Sequence, residues 1–182
     1  HYDIGNALYR LFLDTDHMQY SCAYWPQDDM TLEQAQEAKL AHIAAKLALS
    51  PNQRVLDIGC GWGGMAIYLA QKANVSVHGI TLSEEQLTLA QERAREAGVA
   101  DRIQFELVDY RNLVPRGMRY DRIVSVGMFE HVGRPQFERF FRDCANLLKD
   151  DGVMLLHTIG RMGSPGSTDA FTRKYIFPGG YI

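Results

Sequence analysis

An α/β fold, built on a Rossmann-like, doubly wound and mainly parallel sheet, is the architecture this sequence predicts. Three observations carry the prediction. Five short apolar runs alternate with longer runs of helical periodicity, the order of a parallel sheet covered on both faces. The first of them, Val55–Ile58, ends in the glycine-dense turn Gly59-Cys60-Gly61-Trp62-Gly63-Gly64 and feeds a helical pattern. Each run also ends in polar residues that do not suit a core, and the carboxyl ends of the strands are the ligand-binding edge of an open α/β sheet.

The elements follow in order. Leu8, Leu11 and Phe12 share a helical face within an aromatic-rich N-terminal stretch that continues through Met18-Gln19-Tyr20-Ser21-Cys22-Ala23-Tyr24-Trp25. Most of these aromatics are expected to pack, and Ser21 and Cys22 among them suit a lid over a pocket. Thr31-Leu32-Glu33-Gln34 is a capping box, and Leu40, Ile43, Ala44 and Leu47 recur at helical spacing behind it. Strands are expected at 54–58, 76–80, 103–108, 120–126 and 152–158. Helices are expected from about 63 to 72, from the second capping box Ser83-Glu84-Glu85-Gln86 to Ala97, and from Pro135 to Leu148 with Phe137, Phe140 and Phe141 inward. Residues 159–167 read as a loop and 168–177 as a short helix. Residues 1–50 form a helical lid segment packed on an α/β core at 51–182.

The chain has 182 residues, enough for one domain with a substantial core, and at 46% hydrophobic and 23% charged its composition is that of a globular protein. A net charge of −3, from 19 basic and 22 acidic residues, gives no global electrostatic case for nucleic acid. Cys22, Cys60 and Cys144 are widely spaced and odd in number, which fits neither a disulfide framework nor a metal site. A reducing, cytoplasmic compartment is therefore expected. No apolar run approaches the length of a membrane span. The chain begins at His1 and stops at Ile182, just after Pro178-Gly179-Gly180, and reads as a piece of a longer protein.

A nucleotide-type cofactor is the first functional reading of the glycine turn. A dinucleotide site sets an acid at the end of the second strand to hold ribose hydroxyls, whereas here Thr81 stands there. Met65-Ala66 after Gly63-Gly64 also break the G-x-G-x-x-G form. The pattern D-x-G-x-G-x-G from Asp57 instead resembles the cofactor loop of S-adenosylmethionine-dependent methyltransferases. Glu130 and His157 follow two further strands; parallel neighbours lie ~4.8 Å apart, so both can converge on one ligand as acid–base groups. His17, His42 and His78 are expected to be structural, and His131 to orient its loop.

Further residues extend the resemblance over nearly the whole chain. Tyr2-Asp3-Ile4-Gly5-Asn6, Met18-Gln19-Tyr20-Ser21-Cys22-Ala23-Tyr24, Thr31-Leu32-Glu33-Gln34-Ala35-Gln36, Leu56-Asp57-Ile58-Gly59-Cys60-Gly61-Trp62-Gly63 and Gly79-Ile80-Thr81-Leu82-Ser83 carry its first half. Val126-Gly127-Met128-Phe129-Glu130-His131-Val132-Gly133, His157-Thr158-Ile159-Gly160 and Lys174-Tyr175-Ile176-Phe177-Pro178-Gly179-Gly180 carry its second. Together they resemble the cyclopropane-fatty-acyl-phospholipid synthases, which include the mycolic acid cyclopropane synthases. The fold this implies is that of the class I methyltransferases, with its final strands beyond Ile182.

The resemblance implies that S-adenosylmethionine binds at Gly59, Cys60 and Gly61, with Thr81 and Gln86 near its ribose. Tyr110 and Arg111 flank the adenine, and Tyr2, Tyr20 and Ser21 close over the methionine end. It further implies a cis double bond of a phospholipid acyl chain as methyl acceptor, a carbocation, and a bound bicarbonate as base, held by Cys22, Glu130, His157 and Ile159. A family tyrosine that completes this pocket would lie C-terminal to Ile182. The expected partners are unsaturated acyl chains at a membrane surface, met peripherally, and a second copy of the chain as a homodimer. Two alternatives stay open: an amine methyltransferase of the plant alkaloid type, and a cofactor-binding fragment without turnover.

Overall fold

The structure, a computed structural model, describes residues 5–160, 162–164 and 166–176. Its centre is a five-stranded sheet in the order β3-β2-β1-β4-β5, parallel throughout. The strands are β1 (Arg54–Ile58), β2 (Ser76–Thr81), β3 (Ile103–Leu107), β4 (Tyr120–Val126) and β5 (Leu148–His157). The helices are α1 (Asn6–Tyr9), α2 (Leu32–Lys46), α3 (Gly64–Ala73), α4 (Glu84–Glu96) and α5 (Phe137–Leu147). The chain runs outward from β1 to β3, then returns to the other side of β1 with β4. The strand order therefore reverses between β1 and β4, and a crevice opens beyond their carboxyl ends.

Alternation along the strands divides the core in two. Val55, Val77 and Val124 face one layer, where they meet Leu40, Met65, Leu69 and Ala94 of the helices. Leu56, Ile58, Ile80 and Ile123 face the other, with Phe140, Cys144 and Leu147 of α5. Each such aliphatic side chain contributes about 1.5–3 kcal/mol by leaving water. A third cluster joins Tyr9 and Met18 of the N-terminal stretch to Trp62 and Leu89, which fixes that stretch over the glycine turn.

Most sequence-predicted elements lie within a residue or two of their expected bounds; the first capping box forms as expected, and four other details differ. The α2 box is reciprocal, with Gln34 N–H donating to Thr31 Oγ1 and Thr31 N–H to Gln34 Oε1. At Ser83 only half of a box forms: Gln86 N–H donates to Ser83 Oγ, but the Gln86 carbonyl accepts from the Thr81 hydroxyl at 2.9 Å. A neighbouring buried hydroxyl competes for that side chain. Phe141 lies 49% exposed rather than inward, because the buried stripe of α5 runs Phe140-Cys144-Leu147 and passes beside it. The strand β5 starts four residues early, through the charged run Lys149-Asp150-Asp151, which an edge strand tolerates. Lastly, α1 buries Tyr9, and Leu8, Leu11 and Phe12 face outward.

Candidate active site

Two adjoining cavities occupy the crevice. The larger, about 450 Å³, opens over the turn after β1; the smaller, about 290 Å³, lies over the ends of β4 and β5. Their linings share Gln19, Tyr20, Ser21, Gly127 and His131, so the Gln19–Ser21 segment is a partition between them.

The turn after β1 has the shape its glycines dictate. Gly59 sits at φ 81°, and a Cβ there would stand 2.8 Å from the Met128 Cβ. Gly61 sits at φ 54° with open space where its Cβ would be, which lets a ligand approach the backbone. The N–H groups of Gly59 and Cys60 both donate to the Ile80 carbonyl, at 3.0 and 2.9 Å, and pin the turn to β2. Burial holds the Cys60 thiol protonated.

Gly59, Cys60, Gly61, Thr81, Gln86, Tyr110, Arg111, Tyr20 and Ser21 all line the larger cavity. Thr81 and Gln86 are buried and bonded to each other, and with the Gln86 carbonyl so occupied its amide NH₂ is the group left for a ligand. Tyr110 packs edge-on against Phe140, and Arg111 is locked to Asp109 by two bonds of 2.9 and 2.6 Å. That pairing depresses the Asp109 pKa and raises that of Arg111. Tyr2 lies outside the described residues.

Cys22, Glu130, His157 and Ile159 line the smaller cavity together. Stacking of Phe129 on Phe137, with centroids 4.3 Å apart, anchors the turn that carries Glu130. Glu130 is buried; its Oε1 accepts from the Ile159 N–H at 2.6 Å, and its Oε2 has no partner among the described residues. Among the described residues His157 Nδ1 is likewise buried without a partner, and desolvation lowers the His157 pKa and favours the neutral ring. A carboxylate oxygen and a neutral imidazole facing one cavity can hold a small group that both donates and accepts hydrogen bonds. His131 lines both cavities, whereas His17, His42 and His78 line neither. His42 stacks on Tyr24 at 4.9 Å, and His78 is buried between Tyr120 and Glu106.

Several residues to which the sequence assigned no role position this site. Asp57, at the end of β1, is buried in the larger cavity's wall with Oδ2 unpartnered among the described residues, and desolvation raises its pKa to about 7. Asp14 is buried and accepts from the N–H groups of His17 and Gln19 at 2.6 and 2.7 Å. Gln36 and Lys39 of α2 bond to Ser21, and Arg93 of α4 holds the Asp16 and His17 carbonyls against the Trp62 turn. Of these only Asp57 carried a signal, as the first residue of the D-x-G-x-G-x-G pattern.

Among the described residues no helix is long and apolar enough to cross a membrane. The whole chain, residues 1–182, matches the family model described as mycolic acid cyclopropane synthetase. It is 51% identical over 182 residues to the cyclopropane-fatty-acyl-phospholipid synthase of Escherichia coli, covering 100% of this chain and 45% of that protein. The chain thus spans about half the length of that relative. The solved cyclopropane synthase MmaA2 of Mycobacterium tuberculosis superposes with a TM-score of 0.89 at 37% identity, over 99% of this chain and 66% of that one. The mycolic acid cyclopropane synthase CmaA1, solved with SAH and CTAB, gives 0.80 at 40% identity, over 86% and 53% of the two chains.

Proposed function

The chain belongs to the mycolic acid cyclopropane synthetase family, and from that premise we propose that its full-length protein is an S-adenosylmethionine-dependent cyclopropane synthase. The acceptor in this reading is a cis double bond in an unsaturated phospholipid acyl chain, reached peripherally from the cytoplasmic face of a membrane. The observation that carries it is the pair of adjoining cavities: one built on the glycine turn, the other on Glu130 and His157.

The residues of the larger cavity fit the methyl donor. Gly61 gives backbone access, the Gln86 amide suits ribose oxygens, and Tyr110 and Arg111 offer flat faces to a purine. The unpartnered Asp57 Oδ2 is a natural counterpart for a cationic amino-acid end. Tyr20 and Ser21, in the partition, close that end, and residues 1–50 serve as the lid. Bound S-adenosylmethionine supplies an electrophilic methyl group on a sulfonium.

An alkene is a weak nucleophile, so the partition must hold the reactants in line and exclude water. The acyl chain takes up the methyl, a carbocation forms at the former double bond, and a proton leaves the new methyl as the ring closes. Glu130, His157, Cys22 and Ile159 surround the place where that proton is received. Because Glu130 Oε1 already accepts from Ile159, Oε2 is the atom that meets a base there. Hydrogencarbonate fits: its O–H can donate to Glu130 Oε2 while the His157 ring and the Cys22 thiol bond its other oxygens.

Full-length protein, S-adenosylmethionine and vesicles of monounsaturated phospholipid should yield methylene-bridged acyl chains by mass spectrometry. Turnover of amines instead, with no acyl product, would replace this reading by an amine methyltransferase. Cofactor binding without any turnover would leave a cofactor-binding protein.

A further inference from the structure

One charged side chain close to the site has no role in that account. Lys39, on α2, is only 3% exposed. Among the described residues no carboxylate lies within ion-pair distance of it. Its Nζ donates to Ser21 Oγ at 2.8 Å. Three residues earlier on the same helix face, Gln36 donates to the carbonyls of Ser21 and Gln19, at 3.0 and 3.4 Å. The partition between the cavities is therefore fastened to α2 at its backbone by Gln36 and at the Ser21 hydroxyl by Lys39.

The direction of the Lys39 bond has a chemical consequence. An ammonium only donates, so Ser21 Oγ is the acceptor and its own O–H is left to donate elsewhere. Ser21 lines both cavities, so that donor, backed by a buried positive charge, stands where they meet. A buried cation without a carboxylate partner is unfavourable until an anion arrives. Burial lowers the Lys39 pKa to about 8, opposed by Asp14 and Cys22, so the ammonium still predominates near neutrality.

We propose that Lys39 is a positioning residue: acting through Ser21, it makes the junction of the two cavities a seat for a carboxylate-type anion. The inference rests on the reading that the larger cavity takes S-adenosylmethionine. The anion is then either the cofactor's own carboxylate or a hydrogencarbonate in the smaller cavity.

The test uses the full-length protein and the variants Lys39→Met and Ser21→Ala. Calorimetry compares S-adenosylhomocysteine with 5′-methylthioadenosine, which keeps the nucleoside thioether and lacks the carboxylate. A loss of about tenfold or more for the first ligand, with the second unchanged, assigns the anion to the cofactor. Unchanged binding of both, with about tenfold more hydrogencarbonate needed for half-maximal turnover, assigns it to the smaller cavity. Equal weakening of both ligands, or no change in binding and in the hydrogencarbonate requirement, overturns the proposal. Should Lys39→Met fail to fold, Ser21→Ala carries the same comparison. If the wild type binds S-adenosylhomocysteine but forms no cyclopropane, the functional reading fails, and the calorimetry alone then decides: a selective loss for S-adenosylhomocysteine upholds the role of Lys39 and unchanged binding of both ligands overturns it.

Discussion

The backbone N–H of Ile159 donates to Glu130 Oε1 across 2.6 Å, and this bond ties the loop after β5 to the turn after β4. A second tie, from Gly127 N–H to the His157 carbonyl at 3.0 Å, runs beside it. Together they set which oxygen of Glu130 is committed to the scaffold and which faces the cavity.

Glu130→Gln keeps a carbonyl for Ile159 but puts an NH₂ donor where the free oxygen was. Turnover should fall ~10²-fold or more if proton removal passes through this group, with S-adenosylhomocysteine affinity nearly unchanged. Single-turnover assays on vesicles, paired with calorimetry, read the two effects separately. Wild-type rates in the variant would remove Glu130 from the chemistry.

With Asp57 beside the cofactor as proposed, binding should depend on pH. Desolvation raises its pKa to about 7 in the free protein, and a cationic ligand beside Oδ2 favours the carboxylate. Below about pH 7 binding must therefore release a proton. Affinity for S-adenosylhomocysteine should rise with pH and level off above 7. Asp57→Asn should flatten that dependence and weaken binding by ~10-fold or more. The same slope in the variant would assign the effect to another group.

The glycine turn separates stability from binding. Gly59→Ala places a Cβ 2.8 Å from Met128 at φ 81°, so it should cost roughly 2–5 kcal/mol in urea denaturation. Gly61→Ala meets nothing within 4 Å and pays only for φ 54°, about 1–2 kcal/mol. Its new methyl stands over the turn, so its larger effect should be on S-adenosylhomocysteine affinity. The reverse ranking of stabilities would contradict the described turn.

His78 couples folding to pH far from the site. Its Nδ1 lies 2.6 Å from the Tyr120 hydroxyl and its Nε2 3.1 Å from Glu106, and desolvation lowers its pKa below the ordinary 6.5. The folded state therefore binds fewer protons at this ring than the unfolded chain does. Its contribution to stability is present above pH 6.5 and is lost as pH falls from there toward the folded pKa. Asp57 acts in the opposite sense, losing stability as pH rises from 3.8 to about 7. Comparing wild type with His78→Gln by urea midpoints at pH 7.5 and 5.5 isolates the histidine, and the variant should lose less on acidification.

The strands, the Thr31 box and the glycine turn were legible because local pattern and turn chemistry determine them. That Glu130, His157, Ile159 and Cys22 share one cavity followed from strand-end logic and the family resemblance, since no local pattern joins residues so far apart in sequence. Asp14, Gln36, Lys39 and Arg93 were not legible. Their side chains read as ordinary polar residues of a loop or helix face, and only packing of the N-terminal stretch onto α2 and α4 buries or binds them. The half-formed box at Ser83 failed for a similar reason: Thr81 comes from the preceding strand, and its buried hydroxyl wins the Gln86 carbonyl.

In the proposed reaction the smaller cavity removes a proton from a methylated acyl chain so that a ring closes. Acyl products of the full-length protein, made with S-adenosylmethionine carrying a CD₃ methyl group, test it most directly by mass spectrometry. Cyclopropanation predicts acyl chains that retain two of the three deuteriums in a methylene bridge. Chains that retain all three, as a methyl branch or a methyl with an added hydroxyl, would contradict it.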